Sequence, residues 1–126
     1  MESLEISATP KTPEVILDNE KGFISFSGIS DEEDALHFYF PILQWLDTYK
    51  SHPKPHTEVK LDFRYYNTAS AKSLYEVLKR LGEIQKNGQQ VEVKWYYPAG
   101  DEGWLSEIEN FSDLAHLPIQ AIEKKA

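Results

Sequence analysis

Cysteine is missing from all 126 residues, which excludes disulfides, thiolate nucleophiles and cysteine-based metal sites. There is no run of about 18 apolar residues, so no helical membrane span is expected. The opening residues Met1-Glu2-Ser3-Leu4-Glu5 lack the basic-then-apolar order of a signal peptide, and a soluble cytoplasmic protein is expected. Cations are the scarcer charge, with 13 Lys and Arg against 21 Asp and Glu, a formal charge of −8. Nucleic-acid backbones and anionic lipid both require clustered cations, so neither a nucleic acid nor a membrane is expected as partner. P-loop, G-x-G-x-x-G, G-x-S-x-G and H-E-x-x-H patterns are all absent, and no enzyme activity is expected. Among the histidines, His52 and His56 stand four positions apart. Pro53 and Pro55 lie between them, so they share no regular helix face. Neither a metal nor a cofactor is expected.

What is present suffices for a single domain over residues 1–126, with 40% hydrophobic and 13% aromatic residues to build a core. Residues 1–13 are polar, with Thr9-Pro10 and Thr12-Pro13, and read as an extended arm. Glu14 to Asp18 and Phe23 to Ser27 form a β-hairpin about Asn19-Glu20-Lys21-Gly22, ended by Gly28. Ser30 and Glu33 form a capping box that opens an aromatic-rich helix running to Tyr49. Pro41 predicts either a kink near Phe40 or two pieces, the second starting at Pro41. After the loop Ser51 to His56, the residues Val59, Leu61, Phe63 and Tyr65 alternate with Lys60, Asp62 and Arg64 as a strand buried on one face. A helix from about Thr68 to Asn87 follows, with Ala71, Leu74, Tyr75, Leu78, Leu81 and Ile84 as its apolar stripe. Val91, Val93 and Trp95 alternate in a fourth strand. Glu102 to Phe111 suggests a shorter helix, Leu117 to Gln120 a short edge strand, and residues 121–126 a loose tail.

Strands buried on both faces read as continuous apolar runs, whereas these alternate. The pattern therefore predicts an α/β, two-layer domain. Its four- to five-stranded mixed sheet joins the N-terminal hairpin to parallel strands, with helices mainly on one face and Lys60, Asp62, Arg64, Glu92 and Lys94 on the other.

The stretch Tyr65-Tyr66-Asn67-Thr68-Ala69-Ser70 joins a strand to a helix. Asn67 or Thr68 can cap the first-turn N–H groups, and a phosphate is well tolerated at such an end. The junction lies at the carboxyl edge of parallel strands, beside the turns at Gly28-Ile29-Ser30 and Tyr97-Pro98-Ala99-Gly100. By alternation Tyr65 and Trp95 belong to the core, while Tyr66 and Tyr96 point outward as candidate interface residues. The residues alone leave open simple capping, regulation at the helix start, and a constitutive scaffold that pairs through its open sheet face.

The order and wording of several segments resemble the SiaC family of bacterial regulatory phosphoproteins. The resemblance runs from about Ile6 to Gln120. Its carriers are Thr12-Pro13, Phe38-x-x-Pro41 with Trp45-Leu46, Tyr66-Asn67-Thr68-Ala69-Ser70 and Lys94-Trp95-Tyr96-Tyr97. It implies a fold and logic like the STAS-type anti-sigma-factor antagonists, which are switched by phosphorylation of a hydroxyl at a helix start. The family's switch threonine, in an Asn-Thr-x-Ser context, lands on Thr68. The resemblance further implies a Ser/Thr protein kinase and a PP2C-like phosphatase as partners. The unphosphorylated form would bind and activate a diguanylate cyclase, and so control cyclic di-GMP and biofilm formation. The partner footprint expected on this chain is Tyr66, Asn67, Thr68, Ser70 and Tyr97, with Trp104 at its rim.

Overall fold

Alternation of apolar and polar residues sets the sheet. The computed structural model describes residues 1–125, in the order β1 (Leu4–Ile6), β2 (Glu14–Asp18), β3 (Phe23–Ser30), α1 (Ala35–Tyr49), β4 (His56–Tyr66), α2 (Thr68–Lys86), β5 (Gln90–Tyr97), α3 (Glu102–Ala115) and β6 (Ile119–Glu123). One mixed sheet of six strands runs in sequence order from β1 to β6. The first three strands pair antiparallel, and β3 to β6 pair parallel through the three helices. Three successive right-handed crossovers place all three helices over one face. That face carries Val15, Leu17, Ile24, Phe26, Val59, Leu61, Phe63, Val93 and Trp95, all buried. Lys60, Asp62, Glu92 and Lys94 lie on the uncovered face, as expected for a two-layer domain.

The sheet is wider than the four to five strands expected, because both ends of the chain extend it. Leu4, Glu5 and Ile6 of the arm pair with Leu17, Ile16 and Val15. The arm is held further down as well: the Trp45 indole donates to Glu2 O at 2.9 Å, and Thr12 is buried. At the other end β6 runs to Glu123. Lys124 then donates from its backbone N–H to Tyr97 O and from Nζ to Asp62, both at 2.8 Å. Residues 121–124 are therefore not a loose tail; Ala126 lies outside the described residues.

Local punctuation also differs at four places. Gly28 does not end its strand; at φ +119° it carries β3 on to Ser30. Ser30 caps no helix, being buried at the end of β3, and the cap of α1 is Asp34, which accepts from His37 N. α1 is one helix through Pro41 and not two pieces. Proline removes the bond to the carbonyl of His37, but both residues are exposed, so water can satisfy that carbonyl. α3 continues four residues beyond Phe111, to Ala115.

The difference that matters most for the site is in β4. Gly28 pairs with Phe63, but the next residue, Ile29, pairs with Tyr65. Arg64 is one residue too many, a β-bulge that reverses the alternation beyond it. Arg64 and Tyr65 are both exposed, and Tyr66 returns to the helix-covered side. The expected roles of the two tyrosines are thus exchanged.

Candidate functional site

The carboxyl ends of β3, β4 and β5 meet one edge of the sheet, and the start of α2 stands at its centre. Asn67 is the cap, extended at φ −87° and ψ 175°, and its Oδ1 accepts from Ser70 N at 2.8 Å. Its own N–H donates to Ser30 O at 3.0 Å, and its Nδ2 donates to Glu32 O at 3.0 Å. All its polar groups are thereby engaged, and the β3–α1 loop is fastened to the helix start.

Beneath this cap is a buried chain of hydroxyls. Ser70 Oγ donates to Ser30 O at 2.9 Å, and Ser30 Oγ donates to Ser70 Oγ at 2.7 Å. With that proton used, the Tyr39 phenol donates to Ser30 Oγ at 2.9 Å. Burial pushes the Tyr39 phenol up to about 12, with the Ser30 hydrogen bond partly offsetting the rise. The arm joins the same corner: Asp31 N donates to Lys11 O at 2.8 Å, and Thr9 Oγ1 lies 2.6 Å from Thr12 Oγ1.

Thr68 is left out of all of this. It is the first residue of α2, it is exposed, and its hydroxyl makes no hydrogen bond among the described residues. Of the polar residues Asn67, Thr68 and Ser70, two are committed inward and one faces solvent. An added phosphate there would meet the free N–H groups and positive end of a 19-residue helix.

On the side of α3, Tyr66 packs into an aromatic cluster, with ring centroids 5.4 Å from Trp104, 5.9 Å from Phe111 and 6.4 Å from Trp95. Burial raises the Tyr66 phenol above its ordinary range, and the neighbouring Glu107 carboxylate raises it further by disfavouring a second negative charge. Trp104 is held in the first turn of α3, where Asp101 Oδ1 accepts its N–H at 3.1 Å. Tyr97 is half-buried at the end of β5, its carbonyl taken by Lys124.

Of the six residues expected in the footprint, five reach the surface at this edge: Tyr66, Asn67, Thr68, Tyr97 and Trp104. Ser70 does not. It is wholly buried and supports the site from below. Ser30 was missed as its partner because it lies 40 positions away and only the pairing of β3 with β4 brings it near; Tyr39, on α1, joins through Ser30. Among the described residues no group of three or more His, Asp or Glu comes together to hold a metal ion. No helix among them is long and apolar enough to cross a membrane.

Comparison with known proteins gives a consistent result. The model of the SiaC family, regulatory phosphoproteins, matches residues 6–124. An uncharacterised protein of Pseudomonas aeruginosa is 26% identical over 119 residues, which cover 94% of each chain. The solved structure of SiaC of Pseudomonas aeruginosa superposes with a TM-score of 0.89 at 24% identity, covering 98% of this chain and all of that one. A structure of the diguanylate cyclase SiaD in complex with its activator SiaC, from the same organism, matches with a TM-score of 0.88 at 25% identity, covering 96% of this chain and 99% of that one.

Proposed function

The chain belongs to the SiaC family of regulatory phosphoproteins, and on that premise we propose that it is a partner-switch protein whose phosphorylated residue is Thr68. It is a regulatory protein and not an enzyme. The observation that carries the reading is the contrast within one motif. Thr68 is exposed with an uncommitted hydroxyl, whereas Ser70 is buried in a closed hydrogen-bond chain.

The unphosphorylated protein binds and activates a diguanylate cyclase, by likeness to SiaC of Pseudomonas aeruginosa, the activator of SiaD. A Ser/Thr protein kinase adds the phosphate and a PP2C-like phosphatase removes it. The docking surface includes Tyr66, Asn67, Thr68 and Tyr97, with Trp104 at its rim. A phosphate brings about −1.5 to −2 charge and three acceptor oxygens. At a helix N-terminus it does not unfold the domain, so the block acts on docking: a surface shaped for a neutral Thr68 meets a hydrated dianion.

The test is intact-mass analysis and site mapping of the protein purified from its own cells, followed by binding of each form to the purified cyclase. A phosphate on Thr68, binding by Thr68→Ala and loss of binding by Thr68→Asp and the phosphoprotein are expected. Equal binding by phosphoprotein and unmodified protein would refute the switch.

A further inference from the structure

The sheet face that no helix covers carries its charges in rows. Strand register places Glu58 beside Glu92 and, two residues on, Lys60 beside Lys94. Like charges directly opposite one another weaken a strand pair, and here they occur twice in succession. The chain does little to relieve them. Glu58 and Lys60 form no ion pair among the described residues, and Lys94 has only Glu92 at 3.8 Å. Lys60 Nζ instead lies 6.0 Å from the centre of the Phe23 ring. The rows continue onto β3, where Phe23 stands beside Glu58 and Ser25 beside Lys60. One row therefore reads large, acidic, acidic, and the next small, basic, basic. Ile16, beside Ser25, and Tyr96 are also left half-buried on this face.

We infer that this face pairs with the same face of a second copy of the chain about a two-fold axis. The axis lies between the two sheets and runs across the strands, midway between the two rows. Such a rotation reverses strand direction and keeps each strand over its own counterpart. It lays Lys60 and Lys94 of each copy on Glu58 and Glu92 of the other, and Phe23 of each on Ser25 of the other. Both the charge pattern and the size pattern are thus self-complementary, as a two-fold interface requires. A polymer of one charge sign would satisfy one row and repel the next. Facing sheets stack about 10 Å apart, a gap that two layers of side chains fill. Six strands and three rows of outward side chains span roughly 29 by 20 Å, about 600 Å² per copy. A standard interface takes about 800 Å² from each partner, so the pair is weak and concentration-dependent. The helices lie on the far side, and both copies keep Thr68 exposed. The pairing needs no phosphate on Thr68, so it stands or falls apart from the switch.

The test is sedimentation velocity of the full chain over a concentration series to about 1 mM at about 150 mM salt, where repulsion between two acidic chains is screened beyond about 8 Å. Wild type is expected to pass from monomer to dimer across the series. Lys60→Glu makes both β4 positions acidic and Glu58→Lys makes both basic, so each alone is expected to raise the dissociation constant by about 10-fold or more. Mixed in equal amounts, the two variants are expected to associate with each other at about wild-type affinity, because each supplies the row the other lacks. The double variant, which exchanges the rows on β4, is expected to regain self-association. Because the chain has no cysteine, a short bismaleimide gives an independent reading. It is expected to join two copies through Ser25→Cys and not through Leu114→Cys, which is 63% exposed on α3. A wild type that stays monomeric throughout overturns the inference. So does a dimer that neither single reversal weakens, a mixture of the two variants that does not associate, or a crosslink through Leu114→Cys but not Ser25→Cys.

Discussion

Side chains within four positions of one another perform opposite tasks at the start of α2. Asn67 and Ser70 tie the helix to β3, and Thr68 is kept free. Ser70→Ala removes the donor to Ser30 O and strands the Ser30 hydroxyl, so it is expected to cost about 1–3 kcal/mol in urea unfolding. Thr68→Ala removes no hydrogen bond and is expected to change stability by less than about 0.5 kcal/mol. Tyr39 adds a dependence on pH. Its folded value of about 12 stands above the ordinary 10.0 because the phenolate cannot be solvated where it lies. The raised value means the folded state holds the proton more tightly. Its contribution is therefore fully present below pH 10 and is lost as pH rises from 10 to about 12. That loss amounts to about 2–3 kcal/mol. Tyr39→Phe is expected to flatten the stability curve over that window, measured by urea midpoints at stepped pH. Asn67 was legible as a candidate cap, but the division of labour between the two hydroxyls was not. Ser70 and Thr68 carry the same functional group, and what separates them is Ser30, 40 positions away.

The elements were legible where alternation was long enough to fix a face, as in β4 as far as Phe63 and in β5. They were illegible where pairing, not pattern, decides. β1 is three residues long and becomes a strand only because β2 offers it an edge. The Arg64 bulge has no local signature, yet it exchanges Tyr65, now 50% exposed, with Tyr66, now against Trp104 and Phe111. Ser30 to Glu33 has the letters of a capping box, but the chain uses Asp34 instead, because Ser30 is still paired with Tyr66 in the sheet. The packing of α2 on α3 gives an element-scale test. Gly82 is buried, and a Cβ there would meet Ala115 O at 2.7 Å. Alanine would gain about 1 kcal/mol in helix propensity. Against that, backbone that cannot rotate away must shift, at about 1–3 kcal/mol. Gly82→Ala is therefore expected to be net destabilising in thermal melts, whereas Gly88→Ala, with nothing within 4 Å, is strained only by its φ of +104°.

At the scale of the whole molecule, the question is whether a phosphate on Thr68 would change the shape of the protein or only its surface. The fold argues for the surface. The sheet, its three helices and the Ser30–Ser70–Tyr39 chain are complete without the Thr68 hydroxyl, so no internal contact depends on it. The helix dipole favours the new charge by about 0.3–1 kcal/mol. Asp31, Glu33 and Asp34, beside Asn67 and Ala69, oppose it, weakly because exposed like charges are well screened. Phosphorylation is thus expected to leave stability within about 1 kcal/mol of the unmodified protein. Hydrogen exchange on the two forms is the measurement. Differences in protection are expected only in the first turn of α2 and the β3–α1 loop, with β4 and β5 unchanged. The same data separate this view from a constitutive scaffold acting through the open face. There Asp62 is already paired with Lys124 at 2.8 Å and Lys94 lies near Glu92 at 3.8 Å, so both charges already have partners within the chain. Charge reversal at Asp62 and Lys94 is expected to leave cyclase binding intact. If it abolished binding while Thr68→Asp did not, the partner would sit on the sheet and the free hydroxyl of Thr68 would have no regulatory meaning.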